Sequence, residues 1–195
     1  MGEVEVPDVK ELKENRENTF TKKVALFTAI FAVMLAVCSL GGNNSMKDML
    51  LAQQQASDQW AFYQSKVMRE HLYRIEKNRL EAEILDRTSG MKPETIKHFQ
   101  SLKKWAADEE ARYHVEKKEI EQEAKKLDAE RDVNRAKDPY FDYGEVMLQI
   151  AIVMSSISII SLSRQVFYFA IVSASLGAVL TLNGFLMFFR IPFFH

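Results

Sequence analysis

A single cysteine, Cys38, excludes a disulfide within the chain. It lies inside a long apolar run, so it also says little about redox compartment. Glycine and proline are sparse, seven and four in 195 residues, and the only adjacent glycines are Gly41-Gly42. That leaves no phosphate-cradling loop: there is no Walker sequence, no dinucleotide turn and no nucleophile elbow. Net charge is nearly absent too. At −1, with Lys and Arg matched by Asp and Glu along most of the chain, no basic stripe survives to hold nucleic acid. A di-metal helical bundle requires Glu-x-x-His, yet Met68, Thr95 and Ala111 stand three residues before His71, His98 and His114. Glu94 with His98, and Glu110 with His114, are four apart, the spacing of ordinary solvated helix neighbours. The expectation is a non-enzymatic protein with no catalytic residue, no cofactor and no metal site.

What the sequence does have is charge segregation. No Asp, Glu, Lys or Arg occurs in residues 24–46, 146–163 or 165–189. About 20 apolar residues cross a hydrocarbon core of about 30 Å. The first and third stretches are long enough, and the second, at the short end, spans with slight bilayer adjustment. The sequence therefore predicts an all-α integral membrane protein with transmembrane helices over 22–42, 144–163 and 166–190. Polar tails occupy 1–21 and 191–195. Pro7-Asp8 caps a short helix through Val9 and Leu12 if that tail lies on the membrane surface rather than fraying. Lys22-Lys23 ahead of the first stretch resembles a signal peptide. Val37 stands before Cys38, however, where a lipoprotein cleavage signal needs a small residue, so the segment reads as a retained anchor.

Between the first two spans, residues 43–140 are charged. Gly41-Gly42-Asn43-Asn44-Ser45 predicts a break, with Ser45 as cap for the next helix. Over 46–88 an apolar stripe reads Met46, Met49, Gln53, Ala56, Trp60, Tyr63 and Val67, in alternating steps of three and four. The register slips at Glu70 and His71 and resumes at Leu72, Ile75, Arg79, Ala82 and Leu85. Gly90 ends that helix and Pro93 opens another over 93–137. Its seam repeats every seven residues at Phe99, Ala106, Tyr113, Ile120 and Leu127. The partner row is Leu102, Glu109, Glu116, Glu123 and Glu130, which makes half the seam acidic. Two arms of nearly equal length, about 65 Å each, predict a long antiparallel, coiled-coil-like helical hairpin. Asp138-Pro139 closes it, and Tyr140, Phe141 and Tyr143 suit an interfacial aromatic belt.

All three spans carry small residues in steps of four and three: Ala25, Ala29, Ala32, Ala36 and Ser39; Ala151, Ser155 and Ser158; Ala170, Ala174, Gly177, Thr181 and Gly184. In lipid, close backbone approach through small residues drives helix association. The expectation is a tight bundle, within one chain or between chains. The alternative is a pathway lined by Ser155, Ser156, Ser158 and Ser161 in a channel or transporter component. No ionisable group lies in mid-membrane to relay an ion. Asn183, the strongly polar residue within the third span, is read as a tie between helices.

The stretch Asp58, Gln59, Trp60, Tyr63 and Gln64 is a possible contact patch, because Trp and Tyr anchor interfaces well. Its other reading is an ordinary piece of the hairpin seam. Here a resemblance enters. Ala56-Ser57-Asp58-Gln59-Trp60-Ala61-Phe62-Tyr63-Gln64-Ser65-Lys66, placed after a first membrane helix and before a two-span end, resembles an uncharacterised prokaryotic membrane family, domain of unknown function 4337. The resemblance covers the chain from about Lys22 onward. It implies the same topology and a bacterial inner-membrane setting, and it carries over no activity, cofactor or catalytic residue.

Lys10, Lys13, Arg16, Lys22 and Lys23 precede the first span, and only Lys47 closely follows it. This predicts an N-terminus in the cytoplasm and a hairpin outside. Lys125, Lys126, Arg131, Arg135 and Lys137 before the second span argue the other way, but long loops translocate largely regardless of charge. The functional expectation is a self-associating membrane scaffold or accessory subunit, partnered by lipid, by copies of itself and by a larger membrane complex.

Overall fold

The computed structural model describes residues 9–87, 90 and 92–189, with side chains from residue 16 onward except that of Arg87. Its elements are three helices, α1 (Val9–Arg87), α2 (Pro93–Ser161) and α3 (Arg164–Leu186), and no strand occurs among the described residues. Each contains a stretch long and apolar enough to cross a membrane. The terminal segment 191–195 lies outside the described residues.

Five helices expected from the sequence are thus merged into three, because two predicted breaks are absent. α1 continues through 41–45. A Cβ on Gly41 would stand 2.5 Å from the Phe141 ring and 2.6 Å from that of Phe185, so this glycine is used for close approach rather than for a bend. α2 continues through Pro139. Proline removes one helical hydrogen bond and crowds the preceding turn. Tyr140 and Phe141, immediately after it, are both buried, and that packing outweighs the local penalty.

The turn between α2 and α3 falls slightly earlier than expected. Leu162 takes a left-handed conformation (φ 52°), Ser163 is extended, and Arg164 is already helical. α3 stops at Leu186 rather than near 190. Met187 is left-handed, and its N–H donates to the Asn183 carbonyl at 2.8 Å. The Asn183 side chain donates to the Phe189 carbonyl (2.8 Å) and accepts from the Phe189 N–H (2.9 Å). Asn183 therefore ties off its own helix end instead of bridging to another helix. The predicted terminator Arg190-Ile191-Pro192 lies outside the described residues.

The chain divides into two compact units: residues up to Asp48 with those from Val133 onward, and Met49–Asp132. In the first, the core is Phe31, Cys38, Phe141, Leu148, Ala151, Ala170 and Ala174. Val24, Phe31, Cys38 and Ser45, all buried on α1 here, recur every seven residues, and Gly41 is buried between the last two. In the second unit, partner numbers fall along α2 as they rise along α1. Trp60 meets Asp128 (2.9 Å), Lys66 meets Glu116 (2.6 Å), Arg74 meets Glu110 (2.8 Å) and Glu81 meets Lys103 (2.9 Å).

The inward row of α1 in that unit does not slip. Met49, Ala56, Tyr63, Glu70, Lys77 and Ile84 stay buried or half-buried at seven-residue intervals, with Ala52 and Leu80 buried on the companion row. Leu72, Ile75 and Leu85, expected to resume the seam, face outward, Leu85 at 77% exposure. The expected slip rests on treating Glu70 as a surface residue. On α2 the row Phe99, Ala106, Tyr113, Ile120 and Leu127 is buried or half-buried. Its companion row is Lys103, Glu110, Lys117, Ala124 and Arg131, one residue beyond the acidic row expected. Of that expected row Glu109 and Glu116 are half-buried, while Leu102, Glu123 and Glu130 are exposed.

Candidate functional site

The most constrained region of the first unit is a glycine-lined interface. A Cβ on Gly177 would meet Leu148 Cγ at 2.8 Å and the Gly144 carbonyl at 2.9 Å. A Cβ on Gly144 would meet Thr181 Oγ1 at 3.0 Å, Cys38 Sγ at 3.3 Å and the Gly177 carbonyl at 3.3 Å. Gly184 lies under the Phe141 ring, at 2.9–3.1 Å from the position its Cβ would take. α2 and α3 thus cross backbone to backbone, the approach that small residues permit in lipid. Cys38 of α1 donates to the Phe141 carbonyl (3.3 Å), and Ser173 of α3 donates to that of Met147 (2.7 Å). Tyr140 donates to the Phe189 carbonyl at 2.9 Å, pinning the end of α3 to α2.

The small residues named from the sequence divide into two sets. Ala151, Ser155 and Ser158 of α2, and Ala170, Ala174, Gly177 and Gly184 of α3, are all buried. Ala25, Ala29, Ala32 and Ala36 of α1 are all exposed. α1 instead turns Val24, Phe31 and Cys38 inward, and Phe31 shares a core cluster with Ala151, Ala170 and Ala174. The seven-residue recurrence of Val24, Phe31, Cys38 and Ser45 was the signal for this face. A search confined to small residues passes over it, as it does Phe141 and Leu148.

The serines do not share one face. Ser155 and Ser158 are buried, and Ser158 donates to the Ser163 carbonyl at 3.0 Å. Ser156 and Ser161 face outward, each donating to the carbonyl four residues earlier, Ile152 at 3.0 Å and Ile157 at 2.8 Å.

In the second unit the centre is Glu70, 1% exposed, with Lys117 at 2.5 Å, Arg74 at 2.8 Å and His114 at 3.2 Å. One step along, Glu110 takes Arg74 (2.8 Å) and Lys77 (2.6 Å). Tyr73 stacks on Tyr113 at 5.6 Å and meets Trp105 edge-on at 5.4 Å. Burial pushes the Glu70 carboxyl up, but the bonds from Lys117 and His114 together outweigh it and hold it below the usual carboxylate range. Glu110 is lowered by the hydrogen bond from Arg74 and then that from Lys77. Glu116 is lowered chiefly by the bond from Lys66. Buried charge of this kind is tolerated only when fully partnered.

Of the contact patch, Trp60 and Tyr63 are half-buried and occupied with each other and with α2. Their rings meet edge-on at 5.5 Å, and Trp60 Nε1 donates to Asp128 Oδ2 at 2.9 Å. Gln59 is half-buried, while Asp58 and Gln64 are exposed. Among the described residues no group of three or more His, Cys, Asp or Glu side chains is placed to hold a metal ion.

These features define an all-helical protein whose three helices are apolar enough to span a membrane and whose middle is built on ion pairs. The chain belongs to the family described as domain of unknown function (DUF4337), whose sequence model matches residues 20–187. No curated protein and no solved structure matches it.

Proposed function

We propose that this chain is a non-enzymatic, self-associating scaffold or accessory subunit of a bacterial cytoplasmic membrane. Three bilayer spans anchor an antiparallel helical hairpin built from Met49–Asp132. The opposed order of the α1–α2 ion pairs supports the hairpin. The membrane reading is supported by how little of each apolar window the chain itself covers: 22%, 28% and 39%. Leu26, Val33, Leu40, Ile160, Val172 and Val179 all face outward, an apolar surface that water does not tolerate at this extent.

The observation that carries self-association is the outward alanine row of α1. The rows Ala151, Ser155 and Ser158 of α2 and Ala170, Ala174, Gly177 and Gly184 of α3 are consumed inside the chain, whereas Ala25, Ala29, Ala32 and Ala36 are left for a helix of a second copy. Orientation follows from the charges. Phe20 meets Phe167 edge-on at 6.0 Å, so Arg16, Lys22 and Lys23 lie at the same end as Arg164. Basic residues mark the cytoplasmic side, which supports an N-terminus inside and a hairpin outside.

The test is the mass of the full chain in mild detergent by light scattering or native mass spectrometry. A homo-oligomer is expected, and Ala29→Leu with Ala36→Leu shifts it toward monomer without loss of helical circular dichroism. A monomeric wild-type chain overturns the proposal.

A further inference from the structure

We infer that the end of the first unit where α1 meets the start of α3 binds the phosphate of an anionic membrane lipid. The inference rests on reading the apolar helices as bilayer spans. A cavity of about 510 Å³ lies here, and three cations, Arg16, Lys23 and Arg164, line it with no acidic residue among the lining. Arg16, Phe20, Lys23 and Phe27 are spaced by four, three and four, so they share one face of α1. Phe167 closes the other side, edge-on to Phe20 at 6.0 Å and to Phe27 at 5.6 Å. Among the described residues, none of the three cations is paired with a carboxylate.

Depth points the same way. Lys23 is the last charge before the run 24–46, and Arg164 is the single charge between the runs 146–163 and 165–189. Both stand at the edge of an apolar span, where a lipid phosphate sits. Ser163 caps α3 without a side-chain hydrogen bond, so the positive end of that helix adds to the field. Phenyl walls beside the cations suit a glycerol backbone and the first acyl carbons, for which a free phosphate has no use. Basic pockets between transmembrane helices on the cytoplasmic side are the known form of headgroup sites.

The experiment compares phosphatidylglycerol with phosphatidylcholine retained by the full chain, counted by native mass spectrometry after reconstitution in mixed nanodiscs. Wild type is expected to enrich phosphatidylglycerol. Arg164→Gln should lower that preference about fivefold, and the triple variant R16Q/K23Q/R164Q at least tenfold. A control that removes equal charge elsewhere, K97Q/K104Q/R135Q, should leave it unchanged. If the triple variant fails to fold, the single Arg164→Gln variant decides. Equal enrichment in wild type and variants, or inorganic phosphate alone displacing the lipid at matched concentration, overturns the inference. Alkaline carbonate extraction separates the two ways of failing. A chain that stays in the membrane pellet but shows no variant-sensitive preference loses only the lipid site. A chain released to the supernatant loses the membrane reading itself.

Discussion

Glu70 concentrates the residue-scale physics of this protein. It occupies a seam position that an aliphatic residue normally holds, and it is kept there by Lys117, His114 and Arg74. Removing one partner of such a set leaves the others uncompensated. Glu70→Ala is expected to destabilise the Met49–Asp132 unit by about 1–3 kcal/mol, at the lower end of the range for buried pairs because Lys117 and Arg74 can still reach water. Lowered thermal stability by circular dichroism of the full chain checks this. Glu70→Met with Lys117→Met should recover most of the loss. A double variant as unstable as the single one would show that the carboxylate is needed for more than neutralising Lys117.

The same groups set a pH dependence. Glu70, Glu110 and Glu116 are all held below the ordinary carboxylate range, so the folded chain binds fewer protons than the unfolded one in acid. Their contribution is full above the unfolded value of about 4.3 and is lost as pH falls through the lower folded values. Thermal stability should therefore drop on acidification below about pH 4, and less steeply in Glu70→Gln. A melting temperature flat across that range would contradict the assigned directions.

At the scale of elements, the glycines separate two uses that sequence alone does not distinguish. Gly177 has no room for a Cβ because a backbone carbonyl and Leu148 already fill the space. Gly177→Ala should force α2 and α3 apart and cost about 1–3 kcal/mol, seen as an earlier thermal loss of helix in detergent. Gly90 has nothing within 4 Å of the position a Cβ would take, and its backbone is not left-handed. Gly90→Ala should therefore be neutral or slightly stabilising by the same measurement. Trp60→Phe tests the second unit. It keeps an aromatic ring but removes the hydrogen bond to Asp128, for an expected loss of about 1 kcal/mol.

At the scale of the molecule, the apolar exterior and the outward alanine row belong to one account. In the proposed function, lipid would cover Leu26, Val33 and Val179, and a neighbouring copy would cover the Ala25, Ala29, Ala32 and Ala36 face, all of which are exposed on the single chain. Alanine-to-leucine changes on that face should alter mass in detergent while leaving helix content intact. The same changes on Ala151 or Ala174 should damage the single-chain fold instead, because both are buried in its core.

Much of this was legible in one dimension. Three charge-free runs, the helical periodicity between them and the seven-residue row from Phe99 to Leu127 follow from local composition and spacing, because lipid and water sort side chains by polarity alone. Tertiary packing decided the rest. Whether Gly41-Gly42 bends the chain or admits Phe141, and whether Pro139 ends a helix, depends on what stands opposite. So does the place of Glu70, where Lys117 and His114 of α2, with Arg74 of α1, make a charged seam position tolerable. The α1 face is the clearest case. Its alanines are as small as those of α2 and α3, but the hollows of those helices are matched by Phe31, and complementarity between surfaces is a property that no single strand of sequence contains.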